Sequence, residues 1–266
     1  MGSLYHHGIK GQKWGVRRFQ KKDRSLTKAG ENRYYKQSDK RIKINNDGSK
    51  TIPSGFVFNR VGKSTIDINK SGVLYVSHGK EDASRYVKSL GPTPIGKLLR
   101  NYGDTVQHIT VRKDLKIASE TQTAKVTAEA LLQNKKILDK FNDSLFSTVV
   151  TNDFETSITE KDLKAALKNP SSKYAQKLSY GVSSFLADPN FADESRMIYD
   201  SFRKSGYDAI PDIHDVYSGT SKTATIVINP EKLKITSTTS ITKDVMKEAK
   251  QYVKTLEKLK VNDLIS

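Results

Sequence analysis

Three ionisable side chains, Asp212, His214 and Asp215, fall within four residues of one another. They lie between two apolar runs, Tyr207-Asp208-Ala209-Ile210 and Thr225-Ile226-Val227-Ile228. Carboxylates in such a place suit the stabilisation of a developing positive charge, and an imidazole beside them suits proton movement. A metal centre would need a second histidine at ligand spacing, which Asp-x-His-Asp does not supply, so no metal is expected. The same residues can equally satisfy backbone N–H groups in a solvated loop. Two further polar residues stand on apolar runs: Arg60 on Phe56-Val57-Phe58-Asn59-Arg60-Val61, and Ser77 after Val73-Leu74-Tyr75-Val76. Their plainest roles are an ion pair at a strand edge and a strand end. The absence of cysteine excludes disulfides, thiolate zinc sites and a cysteine nucleophile. Neither a glycine-rich phosphate loop nor a Ser-His-Asp arrangement is present.

The elements that must position these residues are legible as patterns. Alternating apolar residues predict strands over 56–61 and 73–77, and a bent third strand over 105–117. Ala83, Tyr86, Val87 and Leu90 share one face of a helix expected over Glu81–Leu90, which Gly91-Pro92 stops. Residues 122–168 read as mostly helical, with the stripe Ala128, Leu131, Leu132, Ile137, Leu138 and Phe141, and with a short helix starting at Thr159. Helices follow over Tyr174–Ala187 and over Phe191–Lys204, the latter with Met197, Ile198 and Phe202 inward and Gly206 past its end. The block 206–230 then reads as strand, polar loop, strand in the middle of a sheet, with a short extension over 231–235. Thr242 is the expected cap of a last amphipathic helix, expected to carry Val245, Ala249, Tyr252, Val253, Leu256 and Leu259.

Charge divides the chain. The formal net charge is +17, and residues 1–50 hold 14 Lys and Arg against 4 Asp and Glu. A basic arm on a milder body is the expected organisation, with nucleic acid or another acidic surface as its natural partner. No run of about 18 apolar residues and no signal-type apolar segment is seen, so no membrane role is expected. Residues 36–50 read as a hydrophilic linker with a turn at Asn45-Asn46-Asp47-Gly48, and the globular body begins near Thr51.

Within the arm, Tyr5-His6-His7-Gly8-Ile9-Lys10-Gly11-Gln12-Lys13-Trp14-Gly15-Val16-Arg17-Arg18-Phe19-Gln20 holds the only tryptophan of the chain. With Asp23-Arg24-Ser25-Leu26-Thr27 after it, this segment is similar to a short element of structural and head-associated proteins in phages and prophages of Gram-positive bacteria. The usual Asp-Gly-Ser-Leu-Thr has Arg24 in place of its glycine here. The resemblance implies a virion location, with host cytoplasm before or after delivery, and contact with phage head proteins or packaged DNA through residues 1–50. Ser25 or Thr27 would cap a short helix running through Tyr34.

The body resembles the ADP-ribosyltransferase-like domains of phage proteins and bacterial toxins. The likeness runs through Gly55-Phe56-Val57-Phe58-Asn59-Arg60-Val61, through Leu74-Tyr75-Val76-Ser77-His78-Gly79 and the helix carrying Tyr86, and through 206–235. It implies an α+β fold: a mixed sheet of ADP-ribosyltransferase type over 51–240 with a helical middle at about 122–204. A largely disordered basic arm precedes it over 1–50, and an amphipathic helix follows over 241–266. It implies NAD as the substrate cofactor, with Arg60, Ser77 and Tyr86 binding it. The guanidinium fork matches phosphate oxygens in pairs. It also implies a late carboxylate that stabilises the oxocarbenium ion as nicotinamide leaves. The family places that glutamate at the start of the last strand, which falls here near Ala224, where no carboxylate stands. Asp212 and Asp215 are then the candidate catalytic groups, and the acceptor is a host protein or nucleic acid. Three readings follow: an ADP-ribosyltransferase on the virion, a non-enzymatic head protein that keeps the fold, and an internal DNA-binding protein acting through its arm.

Overall fold

The computed structural model describes residues 39–62, 72–79, 105–147, 158–169, 173–187, 189–217 and 221–240, with Thr27, Ala29, Gly30, Arg33, Lys36 and Tyr86 in addition. The chain divides into two compact units, Met1–Arg41 and Ile42–Ser266. In the first, Ala29, Gly30, Arg33, Lys36 and Asp39 are helical, and the Thr27 hydroxyl accepts the Gly30 N–H at 3.2 Å. Thr27 is therefore the capping residue, and helical backbone recurs beyond Tyr34. The aromatic and basic segment 5–20 lies outside the described residues, as do most of the helix expected over Glu81–Leu90 and the whole of that expected over 241–266.

The second unit is α+β. Its described residues form nine strands and six α-helices. The strands are β1 (Lys43–Ile44), β2 (Lys50–Ile52), β3 (Val57–Gly62), β4 (Leu74–Val76), β5 (Thr105–Val111), β6 (Leu115–Ile117), β7 (Ala209–Pro211), β8 (Thr225–Val227) and β9 (Leu233–Ser240). The helices are α1 (Glu120–Gln133), α2 (Lys135–Ser147), α3 (Glu160–Lys168), α4 (Lys173–Ala187), α5 (Ala192–Lys204) and α6 (Ile213–Tyr217). A six-stranded sheet runs β1-β2-β6-β7-β8-β4, and a three-stranded sheet runs β3-β5-β9. All strand pairs are antiparallel except β6 with β7. The expected central placement of the 206–230 block holds, because β7 and β8 lie inside the six-stranded sheet.

Strand alternation feeds two cores. Ala209, Val227, Leu74 and Val76 join Phe56, Phe58, Ile109, Val111 and Leu233 in a layer between the two sheets. Ile210, Ile226 and Ile228 join Leu131, Phe141, Leu178, Phe185, Ile198, Tyr199 and Phe202 in a layer against the helices. Both faces of the central strands are thus covered, which is why 226–228 reads as a continuous apolar run instead of an alternating one.

Several boundaries differ from the sequence reading. The bent strand over 105–117 is two strands in different sheets, with Arg112–Asp114 as the crossing. The linker expected over 36–50 includes β1 and the first residue of β2, a hairpin closed by the expected turn, with Gly48 at φ 77° and its N–H on the Asn45 carbonyl. The extension after Pro230 continues as the eight-residue β9. One helical stripe is broken at Asn134 into α1 and α2. Met197 is 49% exposed, not inward. Ile198 and Phe202, four residues apart, define the buried face of α5, and Met197 falls beside it.

The end of α5 is built as expected. Gly206 has φ 79°, the Tyr207 N–H returns to the Phe202 carbonyl, and the Gly206 N–H to that of Arg203. This is a Schellman stop, and it delivers the chain directly into β7. Asp208 then clamps the junction. Its carboxylate takes the Lys232 ammonium at 2.7 Å, the Asn229 amide at 2.7 Å and the Lys116 N–H at 2.9 Å. Its backbone carbonyl accepts the Ile228 and Asn229 N–H groups.

Candidate functional site

Arg60 and Ser77 are brought together through backbone. β3 and β4 belong to different sheets, but Asn59 and Ser77 form an isolated antiparallel bridge, with N–H···O distances of 2.6 and 2.9 Å. Ser77 is 2% exposed. Arg60 pairs across strands with Gln107, and Phe58 with Ile109. Directly opposed residues share a face, so Arg60 lies on the inter-sheet side with Phe58 and Ile109. Its Nη1 donates to Gln107 Oε1 at 3.4 Å. The sequence reading passed over His78, which stands on the same side. Its ring is edge-on to Phe56 at 5.3 Å and near Phe58 at 6.1 Å. A histidine two residues past a strand end carries no periodic signal, so only the tertiary contact singles it out.

The segment expected as an open polar loop contains α6. Asp212 is its cap: Oδ1 accepts the Asp215 N–H at 3.2 Å and the backbone carbonyl accepts that of Val216. The Ser183 hydroxyl of α4 accepts the Ile213 N–H at 3.1 Å, and the Tyr180 ring lies 5.5 Å from that of His214. Tyr86 donates to Asp215 Oδ2 at 2.6 Å. It therefore joins the carboxylates, whereas the resemblance implied that it stands with Arg60 and Ser77 in binding NAD.

Burial gives this group unusual acidity. Asp212 is 6% exposed, and loss of water followed by repulsion from Asp215 pushes its carboxyl up to about 7. Asp215 raises His214, against the opposing effect of burial. The His214–Asp215 separation of 3.6 Å makes this an ion pair, not a close hydrogen bond. Tyr199 is held well above its ordinary value, first by burial and then by Tyr75 and Asp212. The alternation from Ile210 places Asp212 on the helix side of the six-stranded sheet, where α4 reaches the adjoining Ile213 through Ser183.

The two halves meet at the start of β8. The Thr223 hydroxyl accepts the N–H groups of both His78 and Gly79 at 2.9 Å. The next residue, Ala224, gives its carbonyl to the Asp212 N–H at 2.9 Å. Asp212 is therefore the backbone neighbour of the position where the resemblance wanted a carboxylate, but its side chain lies across the sheet from Arg60. Among the described residues no group of three or more His, Asp or Glu is placed to hold a metal ion, and no helix is long and apolar enough to cross a membrane. Compared with models of known families, with curated proteins and with solved structures, the chain matches none.

Proposed function

We propose that the chain is a phage virion-associated protein whose body binds NAD between its two sheets and transfers ADP-ribose to a host target. The observation that carries this reading is the Asn59–Ser77 bridge. It joins the strand bearing Arg60, in one sheet, to the strand that leads into Ser77, in the other, and Arg60 on the inter-sheet side is suited to a pyrophosphate. In the transfer, the bond between ribose C1′ and the nicotinamide nitrogen breaks with its electron pair leaving on nicotinamide, and an acceptor nucleophile forms the new bond at C1′. Asp212, or Asp215 beside it, would stabilise the cationic ribose as the ionised carboxylate and take the acceptor's proton, which leaves it as the carboxylic acid. Residues 1–50 would direct the protein to the head or the packaged DNA.

A second reading has its own support. Asp212 lies on the helix side of the six-stranded sheet and Arg60 on its inter-sheet side, and Ala224 is buried and apolar, which suits a head protein that keeps the fold without the reaction. Incubation with labelled NAD and host lysate separates the two. The transferase reading expects labelled species that vanish in Arg60→Ala and in Asp212→Asn. A thermal shift with NAD but no labelling supports the non-enzymatic reading, and neither signal removes both the NAD site and the transfer. For the arm, DNA retention is expected to weaken steeply with salt and to be lost when residues 1–41 are removed. Retention that survives the deletion refutes the arm as the DNA contact.

A further inference from the structure

We infer that Gln107 is a positioning residue that holds the Arg60 guanidinium at the inter-sheet face for a dinucleotide pyrophosphate, an inference resting on the NAD reading above. Gln107 is 0% exposed on a strand whose other inward residues are Ile109 and Val111. A buried primary amide in an apolar row is costly unless its polar atoms are paired, and an aliphatic side chain of the same size would pack there without that cost. What distinguishes the position is its cross-strand partner: Gln107 is in register with Arg60, and its Oε1 accepts from Nη1 at 3.4 Å. On the other face of the same two strands, His108 Nδ1 and Asn59 Oδ1 are 3.0 Å apart. Asn59 is also the residue bridged to Ser77. Two successive polar pairs therefore pin the middle of the β3–β5 ladder next to the bridge. The neutral Gln107 amide orients the guanidinium without adding a negative charge beside it. A carboxylate there would neutralise the guanidinium that a phosphate needs.

The test uses the full chain and NAD itself. Gln107→Met is expected to weaken NAD binding about tenfold, the scale of one lost hydrogen bond to a charged group. In an Arg60→Ala background the same change is expected to cost nothing further, because Gln107 acts through Arg60. An equal loss in both backgrounds overturns the inference. Gln107→Asn shortens the side chain by one methylene and keeps the amide, so it folds readily and tests reach alone. It is expected to lose binding partly, and full wild-type affinity in both Gln107→Asn and Gln107→Met overturns the role. In the unliganded protein, the Arg60 Nε–Hε signal in NMR is expected to be ordered and to broaden or lose order in Gln107→Met. An unchanged signal overturns the positioning role whether or not NAD binds. If the wild type binds no NAD while that signal still responds, positioning of Arg60 stands and the NAD reading falls.

Discussion

Asp212→Asn separates what the buried carboxyl does for stability from what it does for chemistry. In the folded chain this group titrates at about 7 against an ordinary 3.8. The folded state therefore keeps a proton that the unfolded chain has already lost between about pH 4 and pH 7. Stability falls as pH rises through that window and levels off above it. At 1.36 kcal/mol for each tenfold change in proton affinity, the ionised carboxylate costs the native state about 4 kcal/mol at pH 8. Asparagine keeps an amide oxygen for the Asp215 N–H, is as good a helix cap as aspartate, and removes the charge that Asp215 repels. Urea denaturation from pH 4 to 8 is expected to show Asp212→Asn more stable than wild type at pH 8, by up to about 4 kcal/mol or about 10 °C in Tm. The two curves should converge near pH 4. His214 titrates in both proteins, so the difference between them isolates Asp212 apart from the smaller lift that Asp212 gives the imidazole. A variant that parallels wild type at every pH, or is less stable at pH 8, refutes the argument that burial and Asp215 strain this carboxyl. Gained stability together with lost NAD-dependent labelling would identify stability given up for function.

Three other perturbations test the scaffold around the site. Gly206→Ala is expected to cost about 1–2 kcal/mol in chemical denaturation, from left-handed backbone alone. An added Cβ meets nothing within 4 Å, so a much larger loss would mean that the stop of α5 is packed differently. Thr223→Val removes the shared acceptor of the His78 and Gly79 N–H groups and is expected to cost about 2–3 kcal/mol, with faster amide exchange at those two residues. Unchanged exchange would refute the role of Thr223 in joining β4 to β8. Asp208→Ala leaves Lys232, Asn229 and the Lys116 N–H without their common acceptor. The expected loss is about 3 kcal/mol, read by thermal denaturation, and a change below 1 kcal/mol would show that the clamp is replaceable by water.

Much of the scaffold is legible without coordinates. Gly206 marks the end of α5 because its missing Cβ tolerates φ 79°, and Thr159 marks the start of α3 through a reciprocal capping box with Asp162. Asn45 to Gly48 announces a turn, and turn chemistry is local. Failures of the pattern came where burial depends on a partner distant in sequence. The run 105–117 reads as one strand because both halves are apolar in alternation, and nothing local says that they pair in different sheets. Asp212 and Asp215 read as a solvated loop, yet Ser183 from α4 and Tyr86 each bind into α6. Asp208 and Gln107 passed unremarked as polar interruptions of strands, although each gathers its partners from residues far along the chain.

The segments follow from local pattern alone. Period-two and period-3.6 patterns, caps and a glycine stop are consequences of backbone geometry over a few residues, and they placed 206–230 inside a sheet and the helices before it. Which face each residue takes is settled by packing between elements distant in the chain. With both sides of the central strands covered, an unbroken apolar run does not say which residue looks toward the helices and which toward the second sheet. That choice puts Arg60 and His78 in the inter-sheet layer and Asp212 among the helices, with Ala224 and Thr223 as the backbone between them. It also raises the Asp212 carboxyl to about 7, because acidity follows from the water and charge around a group and not from its neighbours in sequence.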